Sequence, residues 1–149
     1  MEAGPFAVAR NAQPINGALY RDEVYQGVTV DLGFAYIGDV QLELIQPCDE
    51  QRSVYREAID RGATGLHHYC CLVEDYDACY ERALVSGYQP VVNAGREGWL
   101  RMTYMESQQI PDLLIELMEW NDNTRPYFDG VREMLAKADP GRLTCEFSI

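Results

Sequence analysis

Lysine is nearly absent from this chain: Lys137 is the only one, the other basic residues are arginines, and 12 basic residues face 24 acidic ones. A net charge of -12 argues against a surface for nucleic acid or an anionic membrane. Arginine's planar fork still suits a small anionic ligand locally. Also missing is any apolar run of bilayer-spanning length, and Met1-Glu2-Ala3-Gly4-Pro5 has neither the charged nor the apolar region of a signal peptide. The five cysteines (Cys48, Cys70, Cys71, Cys79, Cys145) are odd in number and contain no CxxC pair, which fits reduced thiols better than a disulfide framework or a zinc knuckle. A cytoplasmic protein with no nucleic-acid or membrane partner is the expectation.

What is present fits one globular domain spanning 1–149. Hydrophobic residues make up 47% and charged residues 24% of 149 positions, enough for a core without staples. A weak strand is predicted near 6–9 in a loop-rich opening that contains Gly4, Pro14, Asn16 and Gly17. Val28 to Ile37 and Val40 to Gln46, rich in β-branched and aromatic residues around Gly38-Asp39 and stopped by Pro47, predict a hairpin. Residues 53–61 read as a short helix or ordered loop. Residues 66–73 predict a buried strand. Asp75 as N-cap, the spacing of Tyr76, Cys79, Tyr80, Ala83 and Leu84, and the stop at Gly87 predict a helix of about three turns with one buried face. Residues 88–92 read as a short edge strand, and 99–105 and 113–120 as further strands. A helix at 126–138, ended by Asp139-Pro140-Gly141, and an alternating piece from Leu143 to Ile149 complete the chain.

Histidine is the scarcest chemistry-bearing residue: His67 and His68 are the only two, and they are adjacent. Successive strand residues face opposite ways, so His67 is expected to face outward if His68 faces in. Two other strands carry an acid inside apolar surroundings, Gln41-Leu42-Glu43-Leu44-Ile45-Gln46 and Leu114-Ile115-Glu116-Leu117-Met118-Glu119, with the glutamates 73 residues apart. This reads as two copies of a half-domain. The second copy runs strand, helix, strand, strand, strand from residue 66 to 119. In the first copy the counterpart of His68 falls ahead of Met1, so one strand and one helix of the first half are expected to be missing, with the final Thr144 to Ile149 segment or a second subunit's strand filling the gap, or with the natural chain beginning upstream.

On the residues alone, His68 is either a core histidine with one hydrogen bond or a metal ligand. Glu43 and Glu116 need a cation, a proton or an arginine, and Arg101 is the nearest candidate arginine. Tyr36, Trp99, Met102 and Tyr104 lie on strands that line the interior or its back. Cys70 and Cys71 lack a partner base for a nucleophilic role.

The GLHHY start, the VEDYDACYERALVSGY helix, the IELME end and the GDVQLELIQP hairpin together resemble the vicinal oxygen chelate superfamily of glyoxalase, bleomycin-resistance and dioxygenase relatives, in the style of its methylmalonyl-CoA epimerase and glyoxalase-like branch. The resemblance covers roughly residues 4–120. It implies an α+β fold in which βαβββ modules form a curved mixed sheet around a cavity: residues 4–47 a partial first module, 65–120 the second, 121–149 a C-terminal helix and tail. It further implies a divalent metal (Mn, Mg, Fe, Co or Zn) held by Glu43, His68 and Glu116, with Glu43 and Glu116 also the catalytic carboxylates. Arg101 and Tyr104 are the candidate substrate-binding residues. The implied function is a metal-dependent isomerase or lyase acting on a small carbonyl or carboxylate substrate, as a homodimer. The alternatives are a metal-free binding protein of the bleomycin-resistance type and an iron-dependent dioxygenase.

Overall fold

The computed structural model describes residues 5–13, 18–21, 23–24, 27–96, 98–139 and 141–148. The loop expected at Pro14, Asn16 and Gly17, the helix stop at Pro140 and the last residue Ile149 lie outside them. The elements in chain order are β1 (Phe6–Ala12), β2 (Leu19–Tyr20), β3 (Glu23–Val24), β4 (Val30–Ile37), β5 (Val40–Pro47), α1 (Val54–Asp60), β6 (His68–Val73), α2 (Tyr76–Val85), β7 (Gln89–Arg96), β8 (Leu100–Glu106), β9 (Leu114–Glu119), α3 (Arg125–Lys137) and β10 (Thr144–Phe147).

They form an α+β structure of two curved, unclosed mixed sheets and three helices. One sheet has the order β10-β1-β4-β5, the other β3-β2-β7-β8-β9-β6. The repeat is visible in this order. β7, β8 and β9 are consecutive antiparallel neighbours, and β6 closes the group by pairing parallel with β9. β1, β4 and β5 make the same antiparallel succession, but among the described residues nothing pairs with the outer edge of β5. The C-terminal strand joins the sheet at the other side, parallel to β1 with Phe6 opposite Thr144 and Ala9 opposite Phe147. It therefore does not fill the gap beside β5, which overturns one of the alternatives expected from sequence, the C-terminal segment.

Local chemistry explains where the chain turns. Gly38, at φ +60, makes the tight reversal that sets Ile37 opposite Val40 and Val30 opposite Pro47. Asp75 caps α2 by accepting from the Ala78 amide, and Ser53 caps α1 through the Arg56 amide. Between β7 and β8, Gly95 at φ +92 lets the backbones approach so closely that a Cβ there would lie 1.9 Å from the Leu100 carbonyl oxygen.

Two strands sit differently from the reading by composition. β7 is internal, flanked by β2 and β8, and Pro90 is accommodated where its register with β8 slips between Pro90 and Val92. β6 is not buried: it is the outermost strand of its sheet, with Tyr69 and Leu72 exposed. Apolar composition describes both a buried strand and an edge strand, so only the pairing separates them.

The main core lies between the sheets. Ala7, Ala9, Leu32 and Phe34 from one meet Val92, Met102 and Tyr104 from the other, with Val54 and Tyr55 of α1 and Val131 of α3 between them. A second cluster packs the apolar face of α2, led by Tyr76, on Met105 and Leu117. That face is the one the helical spacing predicts. Both faces of β8 and β9 are thus covered, and the residues facing the inter-sheet side, among them Tyr104 and Glu116, are held in an apolar interior.

Candidate functional site

Pairing geometry brings the site together. Glu116 on β9 stands opposite Tyr104 on β8 and opposite Cys70 on β6. His68 is two residues before Cys70 and shares its face. His68 Nε2 lies 3.3 Å from Glu43 Oε2 and 3.4 Å from Glu116 Oε2. Two carboxylates, from β5 and β9, thus converge on one imidazole nitrogen from β6. The His68 and Glu116 side chains are 8% and 4% exposed and that of Glu43 is 24% exposed, so Glu43 is the face of the group nearest solvent.

Burial sets the protonation. It drives the Glu116 carboxyl up to about 7, the His68 charge opposing and the Glu43 charge adding. For His68 burial works against the charged form, but the hydrogen bond to Glu43 and the charges of Glu116 and Glu43 outweigh it and raise the imidazole. Cys70 is exposed on β6, yet local desolvation, reinforced by the charge of Glu116, pushes its thiol up, so Cys70 is a neutral neighbour rather than a thiolate.

The surround is aromatic. The Tyr104 ring sits edge-on to His68 at 5.2 Å, and its hydroxyl meets that of Tyr55 at 3.3 Å. Burial raises the Tyr104 phenol well above its ordinary value. Tyr127 from α3 is pushed up by burial and by the charge of Glu43. Gln41, on the same face of β5 as Glu43, donates to the Tyr36 hydroxyl at 2.7 Å.

Of the residues singled out in the sequence, Glu43, His68, Glu116 and Tyr104 are brought together. Arg101 is not: its guanidinium pairs with Glu119 at 3.1 Å and Asp77 at 2.8 Å and lies over the Tyr76 ring, on the α2 side of the sheet. Arg101 lies three positions before Tyr104 along β8, an odd offset that puts them on opposite faces. Trp99 is largely exposed in the turn before β8. A cleft of about 350 Å³ lined by Tyr76, Asn93, Arg101 and Thr103 opens on that same side, apart from the histidine.

The inward position of His67 is a correction. The residue precedes β6, so strand alternation does not govern it, and its ring lies 3.0 Å from His68 through the two Nδ1 atoms and 3.2 Å from the Val54 carbonyl through Nε2. Tyr55 and Cys70 also belong to the surround and were not marked by sequence. Nothing in the polar segment holding Tyr55 signals it, whereas Cys70 could have been found by the two-residue period from His68.

The donor chemistry, one imidazole and two carboxylates, suits a divalent cation. Two ligands each about 2.1 Å from a tetrahedral ion stand about 3.4 Å apart, and the two His68–glutamate spacings match this. Among the described residues, however, no group of three His, Cys, Asp or Glu side chains is placed so that together they could hold a metal ion.

The comparisons agree with this architecture. The profile of the Glyoxalase/Bleomycin resistance protein/Dioxygenase superfamily matches residues 10–105. No curated protein matches the sequence. The crystal structure of hypothetical protein BH1468 from Bacillus halodurans C-125 is similar at a TM-score of 0.55 and 17% identity, covering 78% of each chain; this likeness concerns the fold. The chain belongs to the glyoxalase/bleomycin resistance/dioxygenase superfamily, the vicinal oxygen chelate proteins. That superfamily includes glyoxalases, epimerases, dioxygenases and bleomycin resistance proteins, and its members commonly use divalent metals and bind small molecules.

Proposed function

We propose that Glu43, His68 and Glu116 hold a divalent cation and that the protein is an isomerase or lyase of the glyoxalase/epimerase type acting on a small carbonyl or carboxylate compound. The observation that carries this reading is the convergence of two carboxylates, Glu116 buried and Glu43 partly so, on one nearly buried imidazole nitrogen, an arrangement that is costly in an apolar interior unless a cation or protons balance it. When bound, the cation would supply Lewis-acid stabilisation of charge developing on a substrate oxygen. The protein's own groups do the rest. Of the two carboxylates at the ion, Glu116 is the one to take and return a proton. Tyr104 and Tyr55 wall the site on one side and exclude water from the imidazole. Glu43, the more exposed carboxylate, has the freedom to adjust as a ligand enters.

A second reading, a metal-free binding protein of the bleomycin-resistance type, is favoured by the geometry of the donors, no three of which among the described residues are placed to hold a metal ion together. The iron-dependent dioxygenase alternative has less support, since one histidine rather than two faces the carboxylates. The proposal includes a homodimer and a cytoplasmic location; among the described residues no helix is long and apolar enough to cross a membrane. The test is proton exchange. Metal-supplemented protein in heavy water is mixed with small 2-oxo and 2-substituted carboxylic acids, and deuterium entry at the carbon next to the carbonyl is followed by NMR. Exchange that is lost in Glu116→Gln supports the enzyme. Saturable binding without exchange in any of them supports the binding protein.

A further inference from the structure

We propose that Cys79 and Cys71 form a redox pair, Cys79 being the thiol that a hydroperoxide oxidises and Cys71 the thiol that then closes a reversible disulfide between α2 and β6. The pair is independent of the cation, and its first support is placement. Cys71 stands opposite Leu117 on β9, and residues paired across a ladder share a face. Leu117 belongs to the cluster under α2, against which both Cys79 and Val73, two positions beyond Cys71, are packed. Cys71 and Cys79 therefore lie on the same side of the sheet, whereas Cys70 faces the other way. The chain reverses between them over Glu74 and Asp75. Cys71 is two residues, about 7 Å, from the end of β6, and Cys79 is three residues, about 5 Å, from the start of α2. The two are thus nearly level across the turn. Burial, and after it the charge of Cys79 and that of Glu116, push the Cys71 thiol up, so Cys79 is near enough to be felt there.

The second support is Arg82, which sets the roles. Its Nη2 donates to Cys79 Sγ at 2.9 Å, while Arg101 and Arg125 are spent on carboxylates. A guanidinium only donates, so it can hold the negative charge on a sulfur that attacks an oxygen and on the sulfenate that results. Cys79 is half-buried and Cys71 is exposed on the outermost strand, so oxidant and reductant both have access. In the first step the Cys79 sulfur attacks one peroxide oxygen; the S–O bond forms, the O–O bond breaks, and the alcohol, or water from hydrogen peroxide, leaves with the proton. In the second, Cys71 attacks the Cys79 sulfur; the S–S bond forms, the S–O bond breaks, and hydroxide leaves as water with the Cys71 proton. The two thiols give up two electrons and the peroxide takes them. A dithiol reverses the change by exchange.

The test is oxidation of the full chain with a small excess of hydrogen peroxide, followed by peptide mass mapping with and without a 1,3-dione that captures sulfenic acids. The natural protein is expected to lose two hydrogens within residues 62–82 and to regain them with dithiothreitol. Cys70→Ser, which removes the third thiol of that segment, is expected to behave in the same way. Cys71→Ser is expected to stop at a sulfenic acid on Cys79 that the dione captures, and Cys79→Ser to give neither product. Arg82→Gln is expected to slow the oxidation about tenfold. A disulfide that disappears in Cys70→Ser would overturn the pair, as would a natural protein whose Cys71 and Cys79 stay reduced under peroxide that oxidises free cysteine. An unchanged rate in Arg82→Gln would overturn the role given to Cys79.

Discussion

At the scale of single residues, the site depends on protons in a definite direction. Glu116 in the folded protein holds its proton up to about 7, against an ordinary 4.5. The folded state therefore binds more protons than the unfolded one over that interval, and stability falls as pH rises through it. His68, raised above 6.5, acts in the same direction: its contribution is full below 6.5 and is lost as pH climbs through the folded value. Chelator-treated protein is accordingly expected to lose melting temperature between about pH 5 and pH 8, and Glu116→Gln is expected to flatten that slope. A melting temperature that rises over this range in the metal-free protein would be inconsistent with the account. Cation affinity runs the other way, rising with pH as Glu116 and His68 shed their protons.

Three of the residues at this site were legible in sequence because the repeat marked them: Glu43 and Glu116 are the third residues of matching strands, and His68 opens the strand that pairs beside Glu116. Of what surrounds them, Tyr104 was legible as a residue lining the interior, and the rest was not. Tyr55 comes from a polar stretch, and its approach to Tyr104 depends on how α1 crosses between the sheets. His67 was assigned an outward direction by a rule for strands, but it precedes the strand. Arg101 was close in sequence to Tyr104 and was spent instead on Glu119 and Asp77, because an odd separation along β8 reverses its side.

Among elements, turns and caps follow directly from the residues that make them. Gly95 lies in a backbone approach that only a residue without a Cβ can enter. Gly95→Ala is expected to lower stability by about 2 kcal/mol or more, from a positive φ and a collision with backbone that cannot swing aside; chemical denaturation measures it, and a loss under about 0.5 kcal/mol would contradict the β7–β8 geometry. Asp75→Ala, which removes the cap on α2, is expected to cost about 1 kcal/mol. The elements themselves were legible from periodicity: the β4–β5 hairpin, α2 and its buried face, β8, β9 and α3. Their neighbours were not. An apolar run is silent on whether another strand lies beside it, so β6 was taken as buried and β7 as an edge. The very short β2 and β3 carry too few residues to show a pattern at all.

On the scale of the whole molecule, β10 is the element whose role differs most from expectation. It extends the sheet at β1, and its Cys145 and Phe147 pack against the main core, Phe147 at 6.2 Å from Phe34. Ending the chain after Arg142 is expected to lower the melting temperature by several degrees, about 2–4 kcal/mol of lost packing, and to leave cation binding in place, because β10 lies at the sheet edge away from β5. Binding lost together with β10 would mean that the outer edge and the site are coupled in a way the topology does not provide. The succession strand, helix, strand, strand, strand from residue 66 to 119 was readable from periodicity and turn residues. The arrangement of the sheets was not, since it is set by core contacts between residues that no local pattern links.

The central claim is that two glutamates and one histidine, from three strands, bind a divalent ion. The most direct measurement is metal stoichiometry: protein stripped with chelator, titrated separately with manganese(II), cobalt(II) and zinc(II), dialysed and assayed for metal by mass spectrometry. The account predicts about one ion per chain for at least one of these, a higher melting temperature when it is bound, and loss of both in His68→Ala. Less than about a tenth of an equivalent with all three, and no gain in melting temperature, would contradict it.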